Sequence, residues 1–132
     1  MDETLKTLIV IADGTEEIEA VVPIDLFRRA GFDVAVAGEK HIVVCSRGTK
    51  IVSDLLLNEV GSNEIYDLIF IPGGSKGTEN LLKNQKLELL LQEQIASNRY
   101  VAAICAAPTI LSAKGFVGRD VAITSHPSVR DN

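Results

Sequence analysis

Four short apolar runs divide the chain, and each has the length and composition of a buried β-strand. They occupy residues 8–12, 33–37, 67–71 and 100–104. Continuous apolar runs without polar alternation are typical of parallel strands buried on both faces. Residues 42–46 and 50–53 are expected to form a hairpin around Arg47-Gly48-Thr49, and residues 121–124 a last strand.

The segment after the first strand predicts a helix over residues 16–30. Thr15 is the expected N-cap and Gly31 stands where a C′ glycine belongs. Pro23 removes one helical hydrogen bond, which predicts a bend or a restart near Val22. The apolar positions that carry the helical spacing are Ile18, Val21, Val22, Leu26 and Phe27. Further helices are expected at residues 78–82, 87–96 and 108–114.

Strands that alternate with helices over short connections predict an α/β fold with a doubly wound, mostly parallel sheet. No repeat, low-complexity tract or linker interrupts the sequence, so residues 1–132 are expected to form one domain. Ligands of such sheets bind outside the carboxyl ends of the strands. Gly14, Gly73, Gly74, Cys105 and His126 follow predicted strands, which makes this edge the expected site.

Composition and charge exclude several function classes. The net charge of -5, from 13 Lys and Arg against 18 Asp and Glu, gives no basic surface to hold nucleic acid. The apolar runs are too short to cross a bilayer, and no secretion signal accompanies them. Cys45 and Cys105 are too few for a disulfide framework and have no zinc spacing with the two histidines. These features predict a cytoplasmic protein with two reduced thiols.

Cys105 lies between an apolar strand and a predicted helix, among the small residues of Ala102-Ala103-Ile104 and Ala106-Ala107-Pro108. A tight strand-to-helix turn of this kind projects a nucleophile. We expect the N-terminus of the following helix to lower the pKa of the thiol. The alternative is a buried cysteine that acts only as a small hydrophobic side chain.

Several other groups can complete a site at this edge. Glu16, Glu17 and Glu19 begin the first helix, where one carboxyl could be buried and exchange a proton with the thiol while the others lie on the surface. These residues alone do not decide which one. His126 is a possible base, although a loop histidine is more often simply solvated, and His41 has no such context. The amides of Gly73-Gly74 are candidates for an oxyanion hole or only a turn.

In order along the chain, several short motifs resemble the DJ-one/ThiJ/PfpI family, and its deglycase/glyoxalase branch in particular. They are Glu16-Glu17-Ile18-Glu19, Pro23-Ile24-Asp25, Arg28-Arg29-Ala30-Gly31, Cys45-Ser46-Arg47, Pro72-Gly73-Gly74, Ala102-Ala103-Ile104-Cys105-Ala106 and Thr124-Ser125-His126-Pro127. The resemblance implies a flavodoxin-like sandwich, usually a homodimer. Cys105 matches the family's reactive cysteine, and Glu19 matches the protonated glutamate that hydrogen-bonds it.

The resemblance assigns further residues. The oxyanion amides match Gly74 and Ala106, and the nearby histidine matches His126. Glu16 and Arg47, with Arg29, match supporting positions close to the dimer contact. Cys45 matches a second, less reactive cysteine there.

The implied activity is cofactor-independent conversion of methylglyoxal or glyoxal to a hydroxy acid, or deglycation of aldehyde adducts. A redox sensor or chaperone that acts through oxidation of Cys105 is the alternative. PfpI-type peptidases place a histidine directly after the cysteine, whereas this chain has Ala106, so peptidase activity is a minor alternative.

Family chains also continue well beyond His-Pro, so we expect a fragment, a cleaved chain or a shortened form whose uncovered face packs against another segment or subunit.

Overall fold

The computed structural model describes residues 4–118 and 120–132. The strands are β1 (Lys6–Ile11), β2 (Asp33–Gly38), β3 (Ile42–Val44), β4 (Lys50–Val52), β5 (Leu55–Leu56), β6 (Leu68–Ile71) and β7 (Tyr100–Ala103). The α-helices are α1 (Glu17–Arg29), α2 (Ser75–Leu82), α3 (Gln85–Ala96) and α4 (Pro108–Ala113). Two single 3₁₀ turns lie at Leu57–Glu59 and Pro127–Val129. None of the helices in this part of the chain is long and apolar enough to cross a membrane.

Five strands form a parallel sheet in the order β5-β2-β1-β6-β7, and β3 pairs with β4 in a separate antiparallel hairpin. The central strand is β1, where Ile9 pairs with Val36 on one side and with Phe70 on the other. Every pairing in the larger sheet is parallel. The predicted α/β fold with a mostly parallel sheet is therefore confirmed, and so is the hairpin.

Successive side chains of β1 point to opposite faces of the sheet, and the core therefore has two layers. Leu8 and Val10 face the layer that contains α2, α3 and α4, and Ile9 and Ile11 face the layer that contains α1 and the hairpin. All four of these side chains are inaccessible to solvent. Burial on both faces explains why the sequence of β1 has no polar alternation.

Helix α1 differs from its prediction in two details. Its N-cap is Glu16, whose carboxylate accepts a hydrogen bond from the N–H of Ile18 at 3.3 Å. The expected cap, Thr15, is wrong because its hydroxyl accepts from the N–H of Ala12 instead. The helix also continues through Pro23, so a restart there is wrong.

The remaining corrections concern the second half of the chain. Helix α2 begins at Ser75, directly after Gly74, rather than at Thr78. The predicted strand at residues 121–124 is wrong, since these residues join no sheet. Within residues 120–132, the N–H of His126 donates to the carbonyl of Cys105, past the end of β7.

Candidate functional site

Parallel pairing brings the ends of β1, β6 and β7 to one edge of the sheet, as the sequence predicts. Gly14 follows β1, Gly73 follows β6 and Cys105 follows β7. Cys105 has a φ of 60°, a left-handed conformation that few residues other than glycine adopt. A strained turn between a strand and a helix is the geometry expected of a nucleophile elbow.

The sulfur of Cys105 is partly buried and faces three groups: the Glu19 carboxyl and the backbone N–H groups of Gly74 and Ala106. Burial raises the pKa of the thiol, and the hydrogen bond and negative charge of Glu19 raise it further. The two N–H groups lower the pKa but do not outweigh these effects. The expectation of a lowered thiol pKa is therefore wrong, because the expectation did not include burial and the carboxylate.

Gly73 and Gly74 have different tasks, although the sequence presents them as a pair. The N–H of Gly73 donates to Glu19 Oε1 at 3.1 Å, whereas the N–H of Gly74 faces the sulfur. A Cβ at Gly73 would lie 2.6 Å from Glu19 Oε1 and 2.7 Å from Cys105 Cβ. Gly74 has a φ of 94°, and a Cβ there would lie 2.7 Å from the Glu16 nitrogen. Gly73 therefore has to be glycine for the carboxyl and the thiol to meet, and Gly74 has to be glycine for the end of β6 to pack against the backbone that precedes α1.

The structure also separates the three glutamates of α1. Glu19 reaches the sulfur, and Glu16 caps the helix and accepts a hydrogen bond from the Ser46 hydroxyl at 3.0 Å. Glu17 accepts hydrogen bonds from the Ser46 hydroxyl and from the N–H groups of Arg47 and Thr49. Burial of Glu17 opposes ionisation, but these bonds and its own N–H lower the pKa of its carboxyl to about 2. Glu17 therefore fastens the β3–β4 turn to α1.

Two predicted site residues lie near the elbow with their side chains engaged elsewhere. The backbone of His126 contacts Cys105, but its ring Nδ1 lies 2.8 Å from the Ser128 hydroxyl and the side chain is exposed. Arg47 is exposed in the hairpin turn, where its backbone N–H contacts Glu17. The structure thus places both residues at the edge of the site without a side-chain contact to the sulfur.

Arg29 lies at the opposite end of α1 from Glu19. Its guanidinium pairs with Asp25 at 2.9 Å, and the side chain is 74% exposed. Arg29 is ten positions after Glu19 in the helix, which corresponds to about 15 Å along the axis. The fold of a single chain therefore does not bring Arg29 to the site.

Cys45 is buried directly after β3 and is a free thiol. Burial, and then the negative charges of Glu17, Glu16 and Asp13, raise the pKa of this thiol to about 11. A thiol with this pKa is almost entirely protonated at neutral pH. Within residues 4–118 and 120–132, no three His, Cys, Asp or Glu side chains form a group suited to a metal ion.

The sequence profile of the DJ-1/PfpI family matches residues 5–132. The chain belongs to this family. It is 38% identical over 128 residues to the Parkinson disease protein 7 homolog of Danio rerio, an alignment that covers 96% of this chain and 67% of that protein. It is 39% identical over 120 residues to the glutathione-independent glyoxalase DJR-1.2 of Caenorhabditis elegans, covering 90% and 62%.

Solved structures of the family have the same fold. The oxidized DJ-1 of Toxoplasma gondii superposes with a TM-score of 0.82 at 42% identity, over 85% of this chain and 62% of that one. This agreement confirms the α/β fold with its mostly parallel sheet. The chain spans about two thirds of the length of the zebrafish relative and 62% of the Toxoplasma chain.

Sequence reasoning missed the functions of Gly73 and Ser46. The positioning of Glu19 by Gly73 has no local signal, because the two residues are 54 positions apart. Ser46 lies 30 and 29 positions from the two glutamates that it contacts. Only the packing of the hairpin against α1 brings them together.

Proposed function

We propose that this chain carries out cysteine-dependent processing of reactive 2-oxoaldehydes, such as the conversion of methylglyoxal to lactate, without a cofactor. The observation that carries the proposal is the environment of Cys105: a strained elbow thiol with a carboxyl and two N–H donors directed at its sulfur. The glyoxalase name of the Caenorhabditis elegans relative supports the same reaction class. Deglycation of aldehyde adducts needs the same nucleophile and belongs to the same proposal.

In the first step, the Cys105 thiol adds to the aldehyde carbon of methylglyoxal. We place Glu19 in this step as a carboxylate, unlike the protonated glutamate that the resemblance implies: it accepts a hydrogen bond from the thiol and takes the thiol proton as the S–C bond forms. The aldehyde oxygen becomes an oxyanion, which the N–H groups of Gly74 and Ala106 stabilise. Transfer of the proton to this oxygen gives a neutral hemithioacetal and restores the Glu19 carboxylate.

In the second step, Glu19 removes the proton from the former aldehyde carbon, and a proton is returned to the neighbouring ketone carbon. The hydroxyl proton of the first carbon moves to the ketone oxygen of the second, so the first carbon is oxidised to a thioester, the second is reduced to an alcohol, and no external redox reagent is needed. Water then attacks the thioester, the C–S bond breaks, and lactate leaves as the thiol is restored. We place His126 as an assisting residue in this step, since its backbone contacts Cys105.

The test is lactate formation from methylglyoxal in the absence of glutathione. We expect Cys105→Ser to abolish turnover, because a serine hydroxyl is a far weaker nucleophile here. Cys45→Ala is the matched control and should retain turnover, since Cys45 is a buried thiol and is not among the groups that face the Cys105 sulfur. Wild-type lactate production by Cys105→Ser would overturn the proposal.

A second candidate is a redox sensor or chaperone in which Cys105 is oxidised by peroxide. The Toxoplasma gondii relative of known structure is an oxidized form of its protein, which favours this candidate. Two peroxide molecules would add two oxygen atoms to the sulfur in succession, giving a sulfinate and two molecules of water. The Gly74 and Ala106 N–H groups can donate to a sulfinate oxygen as they do to the sulfur. Stable oxidation of Cys105 in a chain that does not turn over methylglyoxal would favour the sensor over the enzyme.

We further propose a homodimer that packs through the outer face of α1. Ile18, Val22 and Leu26 on this helix are 70%, 45% and 57% exposed, and they recur at helical spacing. Sedimentation should show a dimer that Leu26→Asp dissociates.

The cytoplasm remains the proposed compartment because both cysteines are free thiols, and cell fractionation tests it.

A further inference from the structure

We propose that the chain binds a small carboxylate with an apolar body in a second cleft, which lies at the opposite edge of the sheet from Cys105. The cleft has a volume of about 460 Å³ and lies between the loop at residues 61–66 and α3. We call it the α3 cleft. Its volume is within the range of small-molecule sites.

The position of the α3 cleft separates it from the cysteine site. Tyr66 precedes β6 and Arg99 precedes β7, so both lining residues lie at the amino ends of parallel strands. Cys105 follows the carboxyl end of β7. Four strand residues span about 13 Å, which is too far for one small ligand to contact both sites through the sheet.

The apolar part of the cleft comes from both of its sides. Ile65 in the loop and Leu89 on α3 are 60% and 62% exposed, and Leu90 lies beside them, partly buried. Exposed side chains of this size that converge on one cavity are uncommon on a protein surface. They provide the wall on which the apolar body of a ligand can be buried.

The polar part is a guanidinium that is already held in place. Arg99 is partly buried, and its Nε donates to Gln94 Oε1 at 3.1 Å. Gln94 is 2% exposed, and its amide nitrogen donates to the carbonyls of Tyr66 and Tyr100 at 2.8 and 3.0 Å. This network fixes one edge of the guanidinium. The Nη donors have no partner among the residues that the structure describes, and a fork of such donors matches a carboxylate.

The charged side chains that line the cleft are two cations, Arg99 and Lys86, and two glutamates, Glu64 and Glu93. Lys86 lines it and forms no ion pair with any described residue. Glu64 is already paired with Lys6 at 3.2 Å, and Glu93 is exposed and accepts a hydrogen bond from Ser97. Two cations without ion-pair partners among the described residues therefore remain beside an apolar wall. Their complement is an anionic head group on an aliphatic or aromatic body.

The test uses octanoate, 1-octanol and octylamine as probes of equal chain length, followed by amide chemical shifts and calorimetry. We expect octanoate to shift the amides of Ile65, Leu89 and Arg99 and to bind about tenfold more tightly than the other two probes, because only it engages the guanidinium. Equal binding of the three probes, or shifts confined to the Cys105 edge, would overturn the proposal. Turnover plays no part in this measurement.

Variants make the assignment specific. Arg99→Gln should weaken octanoate binding about tenfold, and Arg99→Lys should restore only part of it, because lysine keeps the charge but loses the fork. Leu89→Asp changes an exposed side chain that the fold does not need, and it should also weaken binding about tenfold through charge repulsion and loss of apolar contact. Lys83→Gln, at an exposed cation outside the cleft, is the control. Octanoate binding to Arg99→Gln and Leu89→Asp with unchanged affinity would refute the site.

Discussion

Gly73→Ala tests whether a carboxyl positioned against Cys105 is required for chemistry. The added Cβ would lie 2.6 Å from Glu19 Oε1, 2.7 Å from Cys105 Cβ and 3.0 Å from the carbonyl oxygen of Ile104. Ordinary van der Waals contact begins at 3.4 Å, so the carboxyl must retreat by about 0.8 Å. The added methyl group cannot move away from the carboxyl, because Cys105 Cβ and the carbonyl oxygen of Ile104 also lie too close to it.

The expected loss follows from this displacement. A shift of about 1 Å in a catalytic group can reduce the rate about 100-fold, so we expect kcat/KM for methylglyoxal to fall roughly 10- to 100-fold. Overpacking at a buried position should also lower the free energy of unfolding by about 1–3 kcal/mol. The fold should survive a change of this size, and denaturant unfolding measures it.

The assay is initial-rate lactate formation, with circular dichroism as a check on the fold. Gly61→Ala is the matched control, since its Cβ would lie 3.6 Å from the nearest atom, Glu64 Cγ, and should leave kcat/KM within about twofold. A folded Gly73→Ala protein with wild-type kcat/KM would refute the argument, because it would show that the position of Glu19 does not limit the reaction.

Three further predictions concern ionisation and packing. Glu19→Gln should lower the pH midpoint for alkylation of Cys105, because the carboxylate raises the pKa of the thiol. The same variant should reduce turnover. An unchanged midpoint would contradict the effect of Glu19 on the thiol pKa. The pKa of Glu17 is lowered from 4.5 to about 2, so its contribution to stability is complete above pH 4.5 and lost as the pH falls toward 2. Glu17→Gln should therefore reduce the fall in unfolding free energy between pH 4.5 and 2, measured by urea unfolding. The same fall in the variant and the wild type would argue against the role of Glu17 in fastening the hairpin turn. Leu8→Ala should cost about 2.7–5 kcal/mol of unfolding free energy because the side chain is fully buried, whereas Leu89→Ala at an exposed position should cost less than about 0.5 kcal/mol.

Much of the sheet could be predicted from the sequence because its signals are local. The unbroken apolar run of β1 reflects burial on both faces, and Gly31, with a φ of 87°, ends α1 as its position predicts. The run at residues 121–124 has similar composition but does not form a strand, because an apolar run becomes a strand only where another strand pairs with it.

For the site, the sequence by itself determined which residues come to one edge, since parallel strands separated by helices place their carboxyl ends together. Tertiary structure decided which glutamate faces the sulfur, because that depends on how α1 is rotated against the sheet and where the hairpin packs. It also decided the direction of the thiol pKa. The burial of Cys105 and its closeness to Glu19 arise from contacts between residues far apart in the chain, and no local sequence pattern indicates them.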